Sequence, residues 1–349
     1  MTEILKLTDG LPRSGSSYPS ISKDGSLLYV VYSDTLAVAA EFFTNRHGKL
    51  IPLNTLIKDP NFPIVQDGYA NRSFTRFTLV DASNTDGRIR LFSQQFNLIA
   101  ERVFPGVFDI LGGVFSPDEK YIALTFIFQA NPQLSRLVVL DAKNLNIVAT
   151  IDFATHTNGP EFIQHKGNTF IVISSGGSSN DPEQDFFGPP AQVSVYRLNH
   201  FQLTLLDSQP LPQFPLVTGV MHRCIKDSIA LIGVGTRAAF LLNEKGLPVN
   251  TTEFQSFLPN DGDEVRFYSF DLLAVGYVNE LLSDSGFLTV YQVCGNKIQP
   301  LQSNIPTLPA AFQAYFSENG RWFTIGGFND PETAPAFNNV LLYKVNYCK

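Results

Sequence analysis

A seven-residue apolar pattern recurs seven times along this chain, roughly every 50 residues. The copies are LAVAAEF from Leu36, RIRLFSQ from Arg88, RLVVLDA from Arg136, QVSVYRL from Gln192, AAFLLNE from Ala238, FLTVYQV from Phe287 and NVLLYKV from Asn339. Their fifth positions are Ala40, Phe92, Leu140, Tyr196, Leu242, Tyr291 and Tyr343, spaced by 52, 48, 56, 46, 49 and 52 residues. A period this steady along the whole chain marks a repeat architecture.

A second block precedes three of the copies. ISKDGSLLYVVY (Ile21 to Tyr32), FSPDEKYIALTF (Phe115 to Phe126) and FSENGRWFTIGG (Phe316 to Gly327) align without a gap. Each reads as the end of one strand, a tight turn and a second apolar strand. Pro, Asp, Asn and Gly at the turn pre-set its dihedrals or supply positive φ. After the third strand most units continue through another turn into a fourth, as in LDAKNLNIVATIDF from Leu140. A four-stranded sheet with two apolar faces cannot bury both alone, so such units stack face to face around an axis.

The expected fold is therefore all-β, a seven-bladed β-propeller of four-stranded antiparallel blades forming one domain over 1–349. The blades are placed at about 15–57, 62–105, 107–153, 158–212, 217–258, 263–309 and 310–349. The last unit stops after its third strand, and EILKLTD (Glu3 to Asp9) is a spare strand at the start. Pairing the two would close the ring and cover two sheet edges.

These blocks resemble the YVTN/lactonase-like seven-bladed propellers, whose repeat runs roughly as SPDG, an apolar strand, then V-x-V-Y. The match is best at Ser116-Pro117-Asp118 and at Val193 to Tyr196. The resemblance covers most of the chain at the level of the repeat. It implies either a 6-phosphogluconolactonase-type hydrolase or a binding protein. The H-x-H-type motif common in those hydrolases has no counterpart here.

Composition narrows the alternatives. Hydrophobic residues make up 44% and charged residues 16%, enough apolar material for a large core. The 30 Phe and 12 Tyr suit strands, where aromatic rings pack well on a pleated surface. A net charge of −7 with no Lys/Arg cluster argues against nucleic acid, whose phosphates demand clustered cations. There is no apolar run long enough for a membrane-spanning helix. MTEILKLTDG lacks a signal-peptide pattern, so a cytoplasmic location is expected. Cys224, Cys294 and Cys348 show no metal-ligand spacing and read as reduced thiols. HExxH, GxSxG and P-loop patterns are absent, and Asn-x-Ser/Thr triplets occur at Asn71 and Asn250.

The candidate site lies at the mouth of the central channel, where the fourth-to-first and second-to-third connections emerge. The longest second-to-third connections are expected at Ser174 to Ala191, Phe328 to Asn339 and Ile127 to Arg136. Long loops on a rigid repeat scaffold are the usual place for binding. A partner protein would meet an aromatic patch near Phe186, Phe187 and Phe337.

Polar residues near the starts of the innermost strands would line the channel: Tyr18, Arg72, Asp109, Arg223 and Gln313 as ligand contacts. A lactone hydrolase needs a base to activate water and cations for the developing oxyanion, which selects Glu161, His222 and Arg266. Asp261, Asp263 and Glu264 cluster as oxygen ligands would for Ca²⁺. Each group also has a structural reading, as solvated channel lining or as an acidic loop.

Overall fold

The structure, a computed structural model, describes residues 2–7, 17–33, 37–155, 157, 159–165, 167–175, 192–210, 217–225, 228–235, 239–242, 272–277, 286–294, 297–307, 310–317, 319–328 and 340–347. Its strands begin with β1 (Thr2–Lys6). Sheet one contains β2 (Ser17–Ile21), β3 (Leu27–Tyr32), β4 (Val38–Arg46) and β5 (Lys49–Ile57). Sheet two contains β6 (Ile64–Asp67), β7 (Arg76–Ala82), β8 (Asp86–Ser93) and β9 (Leu98–Pro105). Sheet three contains β10 (Val107–Phe115), β11 (Tyr121–Phe128), β12 (Asn131–Asp141) and β13 (Ile147–Phe153).

Sheet four contains β14 (Glu161–His165), β15 (Asn168–Ser175), β16 (Gln192–Asn199) and β17 (Gln202–Pro210). Sheet five has β18 (Val217–Ile225), β19 (Ser228–Gly235) and β20 (Ala239–Leu242) among the described residues. Sheet six likewise has β21 (Leu272–Tyr277), β22 (Gly286–Cys294) and β23 (Lys297–Thr307). Sheet seven joins β24 (Ala310–Phe316), β25 (Trp322–Phe328) and β26 (Val340–Tyr347) to β1, which pairs with β26 from Thr2↔Tyr347 to Lys6↔Tyr343. All pairings among the described residues are antiparallel and, apart from that of β1 with β26, in meander order.

Successive sheets stack face to face. The first strand of a sheet packs on the second strand of the sheet before it where β6 meets β3, β10 meets β7, β18 meets β15 and β2 meets β25; β24 packs on β21, the first described strand of sheet six, and β14 touches β10. The core therefore lies between sheets. Tyr29, Phe42, Phe77 and Leu79 fill the interface of sheets one and two, with the Tyr29 and Phe77 rings 4.6 Å apart. Val80, Ile89, Ile110 and Leu124 fill that of sheets two and three. Middle strands are covered on both faces, which is why LLYVVY of β3 and YIALTFIF of β11 are nearly continuous apolar runs. Outer strands β5, β9 and β13 face solvent and alternate.

The recurring turn block has a physical role. Ser22, Ser116 and Ser317 each donate a hydroxyl proton to Asp24, Asp118 or Asn319 two residues on. The same hydroxyl oxygens accept the amides of Leu27, Tyr121 and Trp322. Gly25 and Gly320 close two of these turns at φ 78° and 66°, a backbone that favours glycine. In sheet three the same place holds Glu119, at φ 59°.

Two expectations need correction. The first apolar copy lies three residues later than LAVAAEF suggests, at Ala39 to Asn45. A register shift at Phe42/Phe43 matches those at Leu91/Phe92 and Val139/Leu140, making Phe43 the equivalent of Phe92. Small alanines imitate the pattern, but the hairpin turn sets the register. Ile127 to Arg136 is also no long connection. β11 and β12 pair from Tyr121↔Asp141 to Phe128↔Asn131, with a register shift after Ile127↔Ser135.

Candidate functional site

At the connection face the inner strands carry hydrogen-bonded polar side chains. Gln66 of β6 donates its amide to Asp109 Oδ1 of β10 at 2.7 Å and accepts the Ile110 amide at 2.9 Å. Its neighbour Asp67, with 4% exposure, accepts the Gly112 amide of β10 at 2.9 Å and the Tyr69 hydroxyl at 3.2 Å. Gly112 has φ 95°, a backbone that favours glycine, and a Cβ there would come within 2.9 Å of Pro160.

Toward the other end of β6, Tyr69 meets Tyr315 of β24 edge to face, ring centroids 6.2 Å apart. These residues come from sheets two and seven, and β2 of sheet one contacts both β24 and β25. Innermost strands that reach across an intervening sheet must converge.

Strand registers give heights along the inner strands, counted in paired residues from the first-to-second turn. Tyr18 and Glu161 are both fifth, Asp109 is seventh, His222 fourth and Arg223 third. At about 3.3 Å per residue, Asp109 and Arg223 differ by roughly 13 Å in height. Glu161 and His222, on neighbouring strands β14 and β18, differ by one residue. Gln313 occupies the register shift between Phe312 and Ala314 of β24.

Arg72 falls outside the group. It lies in the turn after β6, between Asn71 and Arg76, at the opposite end from Asp109. The hairpin runs beyond β6 through Thr78 N–H to Tyr69 O, which carries the turn down the strand. Arg266, Asp261, Asp263 and Glu264 lie outside the described residues, as do Phe186, Phe187 and Phe337. Among the described residues no group of His, Cys, Asp and Glu is arranged to hold a metal ion. No helix among them is long and apolar enough to cross a membrane.

The sequence reading missed a buried ion cluster near the same face. Asp81 of β7 is fully buried and accepts Arg88 Nε and Nη2, each at 2.8 Å, in a bidentate pair. It also accepts Arg90 Nη2. Arg88 Nη1 reaches Asp59 at 2.7 Å and Glu101 at 3.3 Å, and its guanidinium lies 3.8 Å from the Phe62 ring centroid. Asp59 and Phe62 belong to the connection from sheet one to sheet two, so Arg88 fastens that connection to the third strand.

Burial alone would weaken Arg88's hold on its proton. The Asp81 and Asp59 carboxylates more than offset it and raise its pKa. Hydrogen bonds from the Asn61 amide and then from Arg88 hold the Asp59 carboxyl below its ordinary range. The signal was available: Arg-x-Arg inside an apolar third strand, opposite an Asp ending TLVD, puts charges where a strand is buried.

Asn71 proves to be a structural residue. It is fully buried, and its Nδ2 donates to Ser73, Thr75 and Glu119 at 2.9, 3.1 and 2.8 Å.

No family model matches the chain, and no curated protein matches it. Solved structures do. The chain is similar to a structure of the Dos1 propeller, at 10% identity and a TM-score of 0.50, over 98% of this chain and 94% of that one. It is also similar to a chain of the crystal structure of the mitotic checkpoint complex, at 11% identity and a TM-score of 0.62, over 99% of this chain and 95% of that one. At such identities the likeness speaks for fold. With its antiparallel four-stranded sheets, the chain is an all-β protein with a β-propeller fold.

Proposed function

We propose that this chain is a seven-bladed propeller, closed by β1 in the last blade, that acts as a binding or scaffold protein. Its connection face and channel mouth would hold a small polar molecule or a partner protein. The observation that carries the reading is the edge-to-face contact of Tyr69 and Tyr315 across sheet one. It implies inner strands gathered around one axis, with Gln66 higher up β6 and Asp109, Tyr18 and Glu161 higher on the inner strands β10, β2 and β14. Rigid repeats with long connections at one end favour binding there.

Screening lactones, sugar acids, sugar phosphates and polyols for a rise in melting temperature tests it. A stabilising compound whose effect disappears in Asp109→Asn and Glu161→Gln supports the mouth as the site. A compound indifferent to both variants moves the site elsewhere.

A lactonase-like hydrolase is the second reading, favoured by Glu161 and His222 standing one residue apart in height on neighbouring inner strands. Glu161 would activate water, with His222 and Arg266 stabilising the oxyanion. It predicts lactone turnover that falls at least about a hundredfold in Glu161→Gln. Turnover unchanged in that variant removes Glu161 from the role.

A further inference from the structure

The outer strand β9 has two unlike sides. On one, Phe104 is buried between sheets two and three, Ala100 packs on the same cluster, and Arg102 donates to Leu145 O at 3.2 Å. Register sets the other. Val103 stands opposite Arg88, Glu101 opposite Arg90 and Leu98 opposite Phe92, with Ile99 in the register shift. Directly opposite residues lie on one side of a sheet, so these face sheet one, where Phe92 joins the core. Yet Leu98, Ile99 and Val103 remain 55%, 46% and 40% exposed.

The strip they form is bounded at both ends. At one, Asn54 Nδ2 of β5 donates to Gln94 O, in the turn before β9, at 3.2 Å. At the other, the connection through Asp59 and Phe62 is held on Arg88. Leu98 to Val103 spans about 17 Å, the reach of about five extended residues. Among the described residues no strand pairs with the outer edge of β9. Such a row of backbone amides and carbonyls is a template for one more strand.

Glu101 stands midway along the strip. Its Oε2 accepts Arg88 Nη1 at 3.3 Å, its side chain is 40% exposed, and among the described residues nothing bonds its Oε1. Arg88 and Arg90 beneath are buried and turned to Asp81. The charge offered to an incoming segment is therefore a carboxylate, which repels an acidic segment and matches a basic one.

We propose that β9 is a docking strand for a partner protein. The partner adds an extended segment along the open edge, with apolar side chains on Leu98, Ile99 and Val103 and one Lys or Arg at Glu101. This surface lies on the outer strands, apart from the channel mouth, and works whether or not the mouth binds a ligand.

A displayed library of random short peptides, selected on the full chain, tests it, with affinities of the enriched peptides read by fluorescence anisotropy. Peptides with one Lys or Arg among apolar residues are expected, and they should slow hydrogen exchange at residues 98–105 but not at 147–153 on the next outer strand. Glu101→Lys should weaken them at least about tenfold, and a peptide whose cation is replaced by Glu should regain affinity for that variant. If Glu101→Lys does not fold, Val103→Asp and the Glu-substituted peptide on the wild-type chain decide, each expected to cost at least about tenfold. Enriched peptides indifferent to these changes, or no enrichment, overturn the proposal. Self-association of the chain that the peptides displace and Val103→Asp abolishes also overturns it, making a second copy the occupant.

Discussion

On the face where first and second strands turn, neighbouring sheets are joined turn to turn; on the connection face, a buried charge network ties the incoming connection to the strands of sheet two. At the turn face the Asn319 amide donates to Lys23 O at 3.2 Å, and Trp322 covers Gly25 closely enough that a Cβ there would approach within 2.2 Å. Glu119 accepts the Ser73 amide at 2.6 Å and the Asn71 side chain at 2.8 Å, linking sheets three and two. At the connection face Arg88 gathers Asp81, Asp59 and Glu101 from separate segments. Short turns repeat and so can interlock locally. Connections of differing length cannot, and a long cation reaching several carboxylates is what spans them.

The sharpest test removes the cation. Arg88→Ala leaves Asp81 buried with Arg90 alone, and a loss of about 3–5 kcal/mol in denaturant-derived stability is expected. A loss under about 1 kcal/mol, the scale of an exposed ion pair, would erase the contrast between the faces.

Next comes the seam between sheets one and seven. A Cβ on Gly326 would stand 2.0 Å from the Ser17 carbonyl oxygen, so Gly326→Ala must push β2 away. We expect a cost of about 3 kcal/mol, at the upper end for overpacking, and altered emission from Trp322, the chain's one tryptophan. Native emission at unchanged stability would mean that the seam yields without strain.

Glu119 separates two effects within the turn face. It holds the glycine place of the motif at positive φ while accepting bonds across the sheet interface. Glu119→Ala keeps the strain and loses the bonds, with an expected cost of about 1–2 kcal/mol. Glu119→Gly relieves the strain and should recover about 1 kcal/mol of that in thermal melts. Equal stability of the two variants would show that the positive φ carries no strain.

The smallest effect is on pH dependence. The Asp59 carboxyl is held below its unfolded value of about 3.9, so its contribution is complete above that value. It is lost as pH falls through the lowered folded value. Asp59→Asn should flatten the acid limb of the stability curve without changing the slope above about pH 6. An acid limb identical to wild type would remove Asp59 from the clamp's electrostatics.

Much of this organisation was legible in the chain. Seven apolar copies and the Ser-x-Asp/Asn turns identify themselves because their chemistry is local: a hydroxyl bonded two residues on, a glycine at positive φ. The copy at Leu36 was misplaced because its alanines carry no packing information, whereas Phe42 and Phe43 mark the bulge. Arg72 looked like a strand-start residue because β6 is short and runs irregularly through Gly68 to Asn71. Tyr69 and Tyr315 gave no hint of each other at a separation of 246 residues.

Period, strand order and turn chemistry belong to the amino-acid sequence itself, since each follows from contacts within a few residues. The sharing of Asp81 between two arginines, the bridge from Asp67 to Gly112 and the meeting of Tyr69 with Tyr315 were decided by the tertiary structure. They join segments that become neighbours when sheet stacks on sheet, and no local pattern records which buried charge or ring will face which.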